Sequence, residues 1–453
     1  MRVLWIGLLI VTELKHQIAQ SELFRSDTCG AAMSSAWNAP KAADLSWQDK
    51  STDFATTVAK AVDEKRIAGG AAIVVDKSGR EIIKETFGKT STGEDARPFA
   101  FDTTFWVASS TKLLTSIAAL QCVEHYRFGL DDDISIILPQ WKDLKIITGM
   151  DDNKKPKLVP AKNKITLRRL LTHSSGMTYP DMNPLIISHR VANSLEIDST
   201  KADKIDDIFF NPLIFEPGSA WAYGPSIDWA GKMVEKVSGM SLGQYMTENI
   251  FEPLGMKYSS MDPVGNEAVE SRLTGRVGRD AETGLVGEEK TGMCKVQNRA
   301  DHHGGSGLYS CAEDYIKVLT SLLLDDGKLL AKGGDMVKEL FRPQLEHPEA
   351  FDAAAKHEIF GAFFAPGLPR GPETSWDYAL GGAVVTKEIP GQASKGTLFW
   401  SGYANNYWFV DREAGVAGCY SSWLLPAGDA PTGAMYSALQ RSALKHVKEG
   451  AKL

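Results

Sequence analysis

Hydrophobic positions recur along this chain in two periods, and they divide it into helices and strands. From Ser51, the run STDFATTVAKAVDEKRI sets Phe54, Val58 and Val62 at i, i+4 and i+8. That spacing predicts an amphipathic helix, with a serine available as its N-cap. Two β-rich runs follow, Ala71–Val75 and Glu81–Phe87, around a Lys-Ser-Gly turn, which predicts a hairpin. The stretch VASSTKLLTSIAAL, from Val107 to Leu120, predicts a buried helix. From about Asp131 to Asp262 the pattern is helical and punctuated by Pro and Gly. ITLRRLLTHSSGM, SIDWAGKMVEKVSGM and LGQYMTENIFEPLGM each read as a helix ending near glycine. Gly265–Arg299 is polar and glycine-rich and reads as a long surface excursion. AEDYIKVLTSLLLDDG is helical again. GTLFW, NNYWFVD and VAGCYSSWLL then restore the strand pattern before a last helix over roughly Gly433–Lys448.

Strands at both ends and helices between them predict an α+β fold. An antiparallel sheet is built from both ends of the chain, flanked by helices, with a mostly helical domain inserted in the middle. The boundaries expected are an N-terminal extension over 1–44, the sheet domain over 45–108 and 300–453, and the helical domain over 109–299. The length of 453 residues suits more than one folding unit. No internal repeat interrupts it.

Composition narrows the function classes. Hydrophobic residues make up 43% and charged residues 24%, as in a globular protein. The net charge of −7 and the lack of a long basic run argue against nucleic acid. The five cysteines, Cys29, Cys122, Cys294, Cys311 and Cys419, are scattered with no metal-ligand spacing. They read as reduced thiols of a cytoplasmic protein. Met1–Arg2 and the apolar Val3–Val11 resemble the start of a signal peptide, so secretion is the alternative. That run is far short of the ~18 residues a membrane span needs.

The chemistry centres on Ser109 and Lys112, one helical turn apart at the front of an apolar helix. Residues so spaced share a face. A serine hydroxyl is a weak nucleophile until a base takes its proton, and a buried lysine needs a reason to be there. Ser-x-x-Lys alone is weak evidence, since it recurs at Ser442–Lys445, where a solvated helix face is expected. Lys290-Thr291-Gly292 lies in a polar loop and reads as a decoy for a catalytic strand motif. LFWSGYANNYWFVD is better placed: Trp400, Ser401, Gly402 and Tyr403 would sit beside the serine. Tyr223, in a loop just before a helix, is the candidate base, because a nearby cation can stabilise its phenolate. Trp408, Tyr407 and Trp221 are further aromatics for a pocket. His173 reads as a capping or core residue. The neighbouring His302 and His303 point apart and have no evident third ligand, so neither metal nor any other cofactor is expected.

Taken together, ASSTKLLTSIAALQC, KITLRRLLTHSSGMTY, AYGPSIDWAGKMVE and GGSGLYS resemble segments of the class C β-lactamase-like serine hydrolases. In particular they resemble the fungal transesterases that attach the lovastatin side chain. The resemblance spans most of Thr52–Lys448. It implies a β-lactamase/transpeptidase-like fold, Ser109 as the acylated nucleophile, and Lys112 with Tyr223 sharing the base role. It also implies an oxyanion hole formed by the backbone N–H groups of Ser109 and Tyr403. Two departures stand out. Tyr223-Gly224-Pro225 replaces the Tyr-x-Asn of class C lactamases and many related esterases, which makes lactam hydrolysis doubtful. Trp400-Ser401-Gly402 replaces the Trp-Gly-Gly typical of the esterases. The function implied is a serine acyltransferase. It would move an acyl group from a thioester or ester, carried by coenzyme A or by the acyl carrier protein of a polyketide synthase, to a small-molecule alcohol of secondary metabolism. A carboxylesterase using water is the alternative, and a catalytically idle homologue used for binding is a third reading that the intact Ser109, Lys112 and Tyr223 oppose.

Overall fold

A computed structural model of the chain describes residues 53–450 except 127, 154, 290–295 and 358–359. The first helix, α1, spans Phe54–Asp63 and buries Phe54 and Val58 as the periodicity predicts. Its cap is not Ser51 but Asp53, whose carboxylate accepts the Thr56 N–H at 3.0 Å. The predicted hairpin is present as β1 (Gly69–Asp76) and β2 (Glu81–Gly88). Gly79 adopts φ +80° in the turn, a conformation that glycine takes without penalty.

The helix predicted at Ser109 begins as a 3₁₀ turn, Ala108–Ser110, which leads into α2, Thr111–His125. Further along come α3 (Ser226–Ser238), closed by left-handed Gly239, and α4 (Ala312–Leu324), closed by left-handed Asp325 rather than by a glycine. Five more strands complete the sheet: β3 (Trp376–Ala379), β4 (Gly382–Val385), β5 (Leu398–Gly402), β6 (Asn406–Asp411) and β7 (Val416–Ser421). The last helix, α5, runs over Ala430–Gly450, longer at both ends than the pattern suggested.

The strand order is β2-β1-β7-β6-β5-β4-β3, antiparallel throughout. The two ends of the sequence therefore meet inside one sheet, where β1 lies against β7 with Ile73 opposite Cys419. Successive side chains of a strand point to opposite faces. Cys419 accordingly lies against the Ala312 carbonyl of α4, while the Tyr407 ring packs on Tyr436 of α5. Helices cover both faces, which is why β6 and β7 are buried along their whole length. The edge strand β2 instead exposes Glu81 and Lys84, charges that blunt an open edge.

The stretch 265–299 is more than a surface excursion. Val277–Arg279 and Val286–Glu288 form a hairpin, and its first strand pairs in parallel with Leu424–Leu425. Arg279 binds the buried Asp429 carboxylate through both Nε and Nη2, the latter at 2.8 Å. This two-point pairing fixes orientation as well as charge. Lys290-Thr291-Gly292 and Cys294 lie outside the described residues, as do Cys29 and residues 1–52. The described residues fall within one compact unit, and no helix among them is long and apolar enough to cross a membrane.

Candidate active site

Ser109 sits at a forced turn. Phe105–Trp106 pairs with Tyr309–Ser310, and the Val107 N–H continues this contact to the Leu308 carbonyl at 3.0 Å. The chain then reverses through Ala108 at φ +47°, a left-handed conformation that costs a non-glycine residue about 1 kcal/mol or more. Surrounding bonds hold it there. Thr111 Oγ1 donates to the Ala108 carbonyl at 2.6 Å and accepts from the Leu308 N–H at 3.1 Å. Tyr315 OH donates to the Ser110 carbonyl at 2.8 Å. Ser110 Oγ donates to Asn406 Oδ1 at 2.7 Å. Strain fixed this firmly lifts one side chain out of the packing: Ser109 is partly exposed between buried Ala108 and Ser110.

The turn brings Lys112 and Tyr223 onto Ser109. In 3₁₀ geometry residues i and i+3 eclipse, and Lys112 Nζ lies 3.2 Å from Ser109 Oγ. Lys112 is 0% exposed, and its second bond goes to the Gly305 carbonyl at 2.7 Å. Nζ also stands 4.7 Å from the centre of the Tyr223 ring and 5.9 Å from that of Tyr179. These faces attract a cation. Tyr223 OH donates to Ser109 Oγ at 2.7 Å. The loop carrying Tyr223 is pressed against residues 177–178. A Cβ at Gly224 would stand 2.6 Å from Thr178 Cα, so glycine is required there.

His173 lies beneath Tyr223, with ring centres 4.9 Å apart. It is fully buried, and neither ring nitrogen has a hydrogen-bond partner. Burial, helped by the nearby Lys112 charge, pushes its pKa well below the usual histidine value. It is a neutral core residue under the site.

Gly402 brings the end of β5 onto the Ser109 turn, for a Cβ there would stand 2.1 Å from the Val107 carbonyl oxygen. Tyr403 follows directly, its ring 6.2 Å from that of Trp106. Ser401 points away from the serine and donates to the Phe363 carbonyl at 2.9 Å. Trp400 faces the site. It stacks on Phe364 at 5.8 Å and meets Tyr378 edge-on at 5.1 Å. Trp221 joins this wall through Phe351 and Phe364. Trp408 is opposite Trp400 across the strands, and both are only 1% exposed, so they back the wall from within the core. Tyr407 turns to the other face and bonds Asn405.

Sequence reading missed Tyr179, Phe351, Phe364, Tyr378, Asp228 and Gly305. The glycine pair ahead of SGLYS was a legible signal for the last. The aromatics carry no motif, and only the fold gathers them. His302 is occupied by the Gly243 N–H and by Asp262 Oδ2, while His303 packs on Phe209. Among the described residues, no group of three or more metal-ligating side chains converges.

A family model described as Beta-lactamase matches residues 54–441. The chain is 36% identical over 371 residues to the lovastatin esterase of Penicillium rubens, covering 80% of this chain and 90% of that protein. It is 32% identical over 370 residues to the monacolin J acid methylbutanoyltransferase of Aspergillus terreus, covering 80% and 87%. Among solved structures, a mutant of simvastatin synthase from Aspergillus terreus superposes with a TM-score of 0.79 at 29% identity, covering 88% of this chain and 97% of that one.

Proposed function

We propose, from the premise that this chain belongs to the β-lactamase family, that it is a serine acyltransferase working through an acyl-Ser109 intermediate. The observation that carries the reading is the bracketing of Ser109 Oγ by Tyr223 OH at 2.7 Å and Lys112 Nζ at 3.2 Å. The Tyr223 phenolate, stabilised by the Lys112 ammonium, takes the Ser109 proton as Oγ attacks the carbonyl of a thioester or ester. The oxyanion that develops is met by the N–H groups of Ser109 and Tyr403. As the tetrahedral intermediate collapses, the bond to the leaving thiol or alcohol breaks and that group takes the proton back from Tyr223. An acceptor hydroxyl then delivers its own proton to Tyr223 and attacks the acyl carbonyl, and the bond to Ser109 breaks as Oγ takes that proton back from Tyr223. No cofactor enters these steps.

An alcohol defeats bulk water only when the site binds and orients it at a high effective concentration. Half-buried Trp221 and Phe364, backed by the buried Phe351, Tyr378 and Trp400, suit that task, and Ser401 ties down the Phe363–Phe364 turn. The acyltransferases among the relatives support an alcohol acceptor; on this reading the acceptor belongs to secondary metabolism, and coenzyme A or an acyl carrier protein carries the thioester. A cytoplasmic setting belongs to this reading, and the free, buried Cys122, Cys311 and Cys419 suit it. The esterase relative supports a second reading with water as acceptor.

Intact-mass measurement after a pulse of acyl thioester separates the two readings. The transferase reading expects an acyl-Ser109 adduct that persists for minutes in buffer, discharges rapidly to a bulky polycyclic alcohol and gives ping-pong kinetics. Release of free acid at one rate with or without any alcohol from a broad panel leaves the esterase.

A further inference from the structure

Lys112 is a buried ammonium whose two hydrogen-bond partners, Ser109 Oγ and the Gly305 carbonyl, carry no charge. A carboxylate stands on the far side of Gly305. Asp228, in the first turn of α3, is 1% exposed, and its Oδ1 accepts the Gly305 N–H at 2.9 Å. Its Oδ2 is buried with no hydrogen-bond partner. A Cβ on Gly305 would lie 2.5 Å from that Oδ2, so only glycine admits the carboxylate here. The preceding residue is fixed too. Thr115 Oγ1 donates to the Gly304 carbonyl at 2.7 Å, and a Cβ on Gly304 would stand 2.8 Å from the Thr115 methyl carbon. The glycine pair is thus gripped between α2 and α3, and Lys112 hangs on its one remaining acceptor.

A buried carboxylate with an unpartnered oxygen is costly to keep unless something charged repays it. Lys112 is a cation bound to the same glycine, on its carbonyl side. We propose that Asp228 is a positioning residue for Lys112: acting through Gly305, it holds the ammonium aimed at Ser109 Oγ while Tyr223 serves as the base. This rests on the acyl-Ser109 reading above and refines it, because it separates two roles that Lys112 and Tyr223 would otherwise share.

The groups around the pair are few. Lys112 faces Tyr179, Tyr223 and His173. Asp228 acts on Tyr179, whose hydroxyl burial pushes up with help from this carboxylate. It also acts on His303, which burial holds down and which senses Arg299 and Asp301 as well. His173 and His303 both stay neutral for this reason, so neither offsets the Asp228 charge.

Removing a negative charge lowers the pKa of every group it faced. In Asp228→Asn the rate at which a fluorophosphonate labels Ser109 should then keep its dependence on pH, with both limbs displaced to lower pH by about 1.5 units. That is the scale of two unit charges ~8 Å apart at an effective dielectric of ~20. Asp228→Ser, a second neutral variant whose hydroxyl can still accept from Gly305, should show the same displacement. Asp228→Glu, which keeps the charge, should restore the wild-type limbs. Unshifted limbs in either folded neutral variant overturn the proposal, whatever happens to the absolute rate. Loss of the fold in both neutral variants makes the carboxylate a structural element and overturns it too. A wild-type chain that is not labelled at Ser109 fails the acyl-enzyme reading itself, and this inference with it.

Discussion

The chain carries Ser-x-x-Lys twice, and the two copies fold into opposite circumstances. At Ser442–Lys445, on α5, the lysine is exposed to solvent and the serine is put to a structural use. Its hydroxyl accepts the Phe54 N–H at 3.0 Å, at the very start of α1. The expectation of a solvated face therefore fails for Ser442 and holds for Lys445. At Ser109–Lys112 the lysine is fully buried, the serine is the exposed member, and Tyr223 closes on it. Motif spacing is identical in the two places. What separates them is a strained turn before the first serine, an apolar helix after it, and a loop that delivers a phenol. A hydroxyl and an amine one turn apart become chemistry only where the amine is desolvated and the hydroxyl has nowhere else to bond.

The sharpest way to break this comparison is to remove each hydroxyl. Ser109→Ala should abolish fluorophosphonate labelling while far-UV circular dichroism stays unchanged; equal labelling of this variant would exclude Ser109 as the nucleophile. Next in size, Lys112→Ala and Tyr223→Phe should each slow acylation of Ser109 by about 10²–10⁴-fold, the usual worth of a positioned acid–base group. Since the two act as a unit, the double variant should be scarcely slower than either single one, and strictly additive losses in stopped-flow acylation would separate them. Ser442→Ala should label at the wild-type rate yet lose about 1 kcal/mol of stability in denaturant melts, the typical cost of a lost helix cap; unchanged stability would remove its structural role. Lys445→Ala should change neither readout.

A finer contrast concerns pH. His173 is neutral in the folded chain because burial holds its pKa well below the ordinary value, whereas the unfolded chain protonates it below about pH 6.5. The unfolded state then binds more protons, so stability falls as pH drops through that window. His173→Ala should be less stable at neutral pH, having lost a packed ring, and should lose less on further acidification. An equal slope of melting temperature against pH in both proteins would show that His173 does not titrate on unfolding.

Much of this could be read from the order of residues. The hairpin of β1 and β2, the closing strands β5 to β7 and the helices at 226–238 and 312–324 all follow from periodicity and punctuation. Ser109, Lys112 and Tyr223 were singled out from their local context. Other features leave little trace in sequence. WDYALGGAVV forms β3 and β4, both fully buried, and a strand covered on both faces shows no alternation to detect. The hairpin within 265–299 is short and half exposed, so polarity concealed it. Left-handed Ala108 carries no glycine to announce it. The bond from Asp228 to Gly305 joins residues that are neighbours only after folding.

The hydrogen bond from Phe54 to Ser442 joins positions 388 residues apart, and it has a consequence for how the chain reaches its structure. The pairing of β1 with β7 unites an early strand of the described chain with a late one. During synthesis β1 and β2 emerge well before β7, the strand that covers the inner edge of β1. Until then a fully apolar strand has one open side, which is an invitation to wrong pairing. Contacts this distant in sequence also slow folding, because a long loop must close before it is rewarded. The arrangement that locks these distant segments together is thus also what delays completion of the sheet until everything between them has been made.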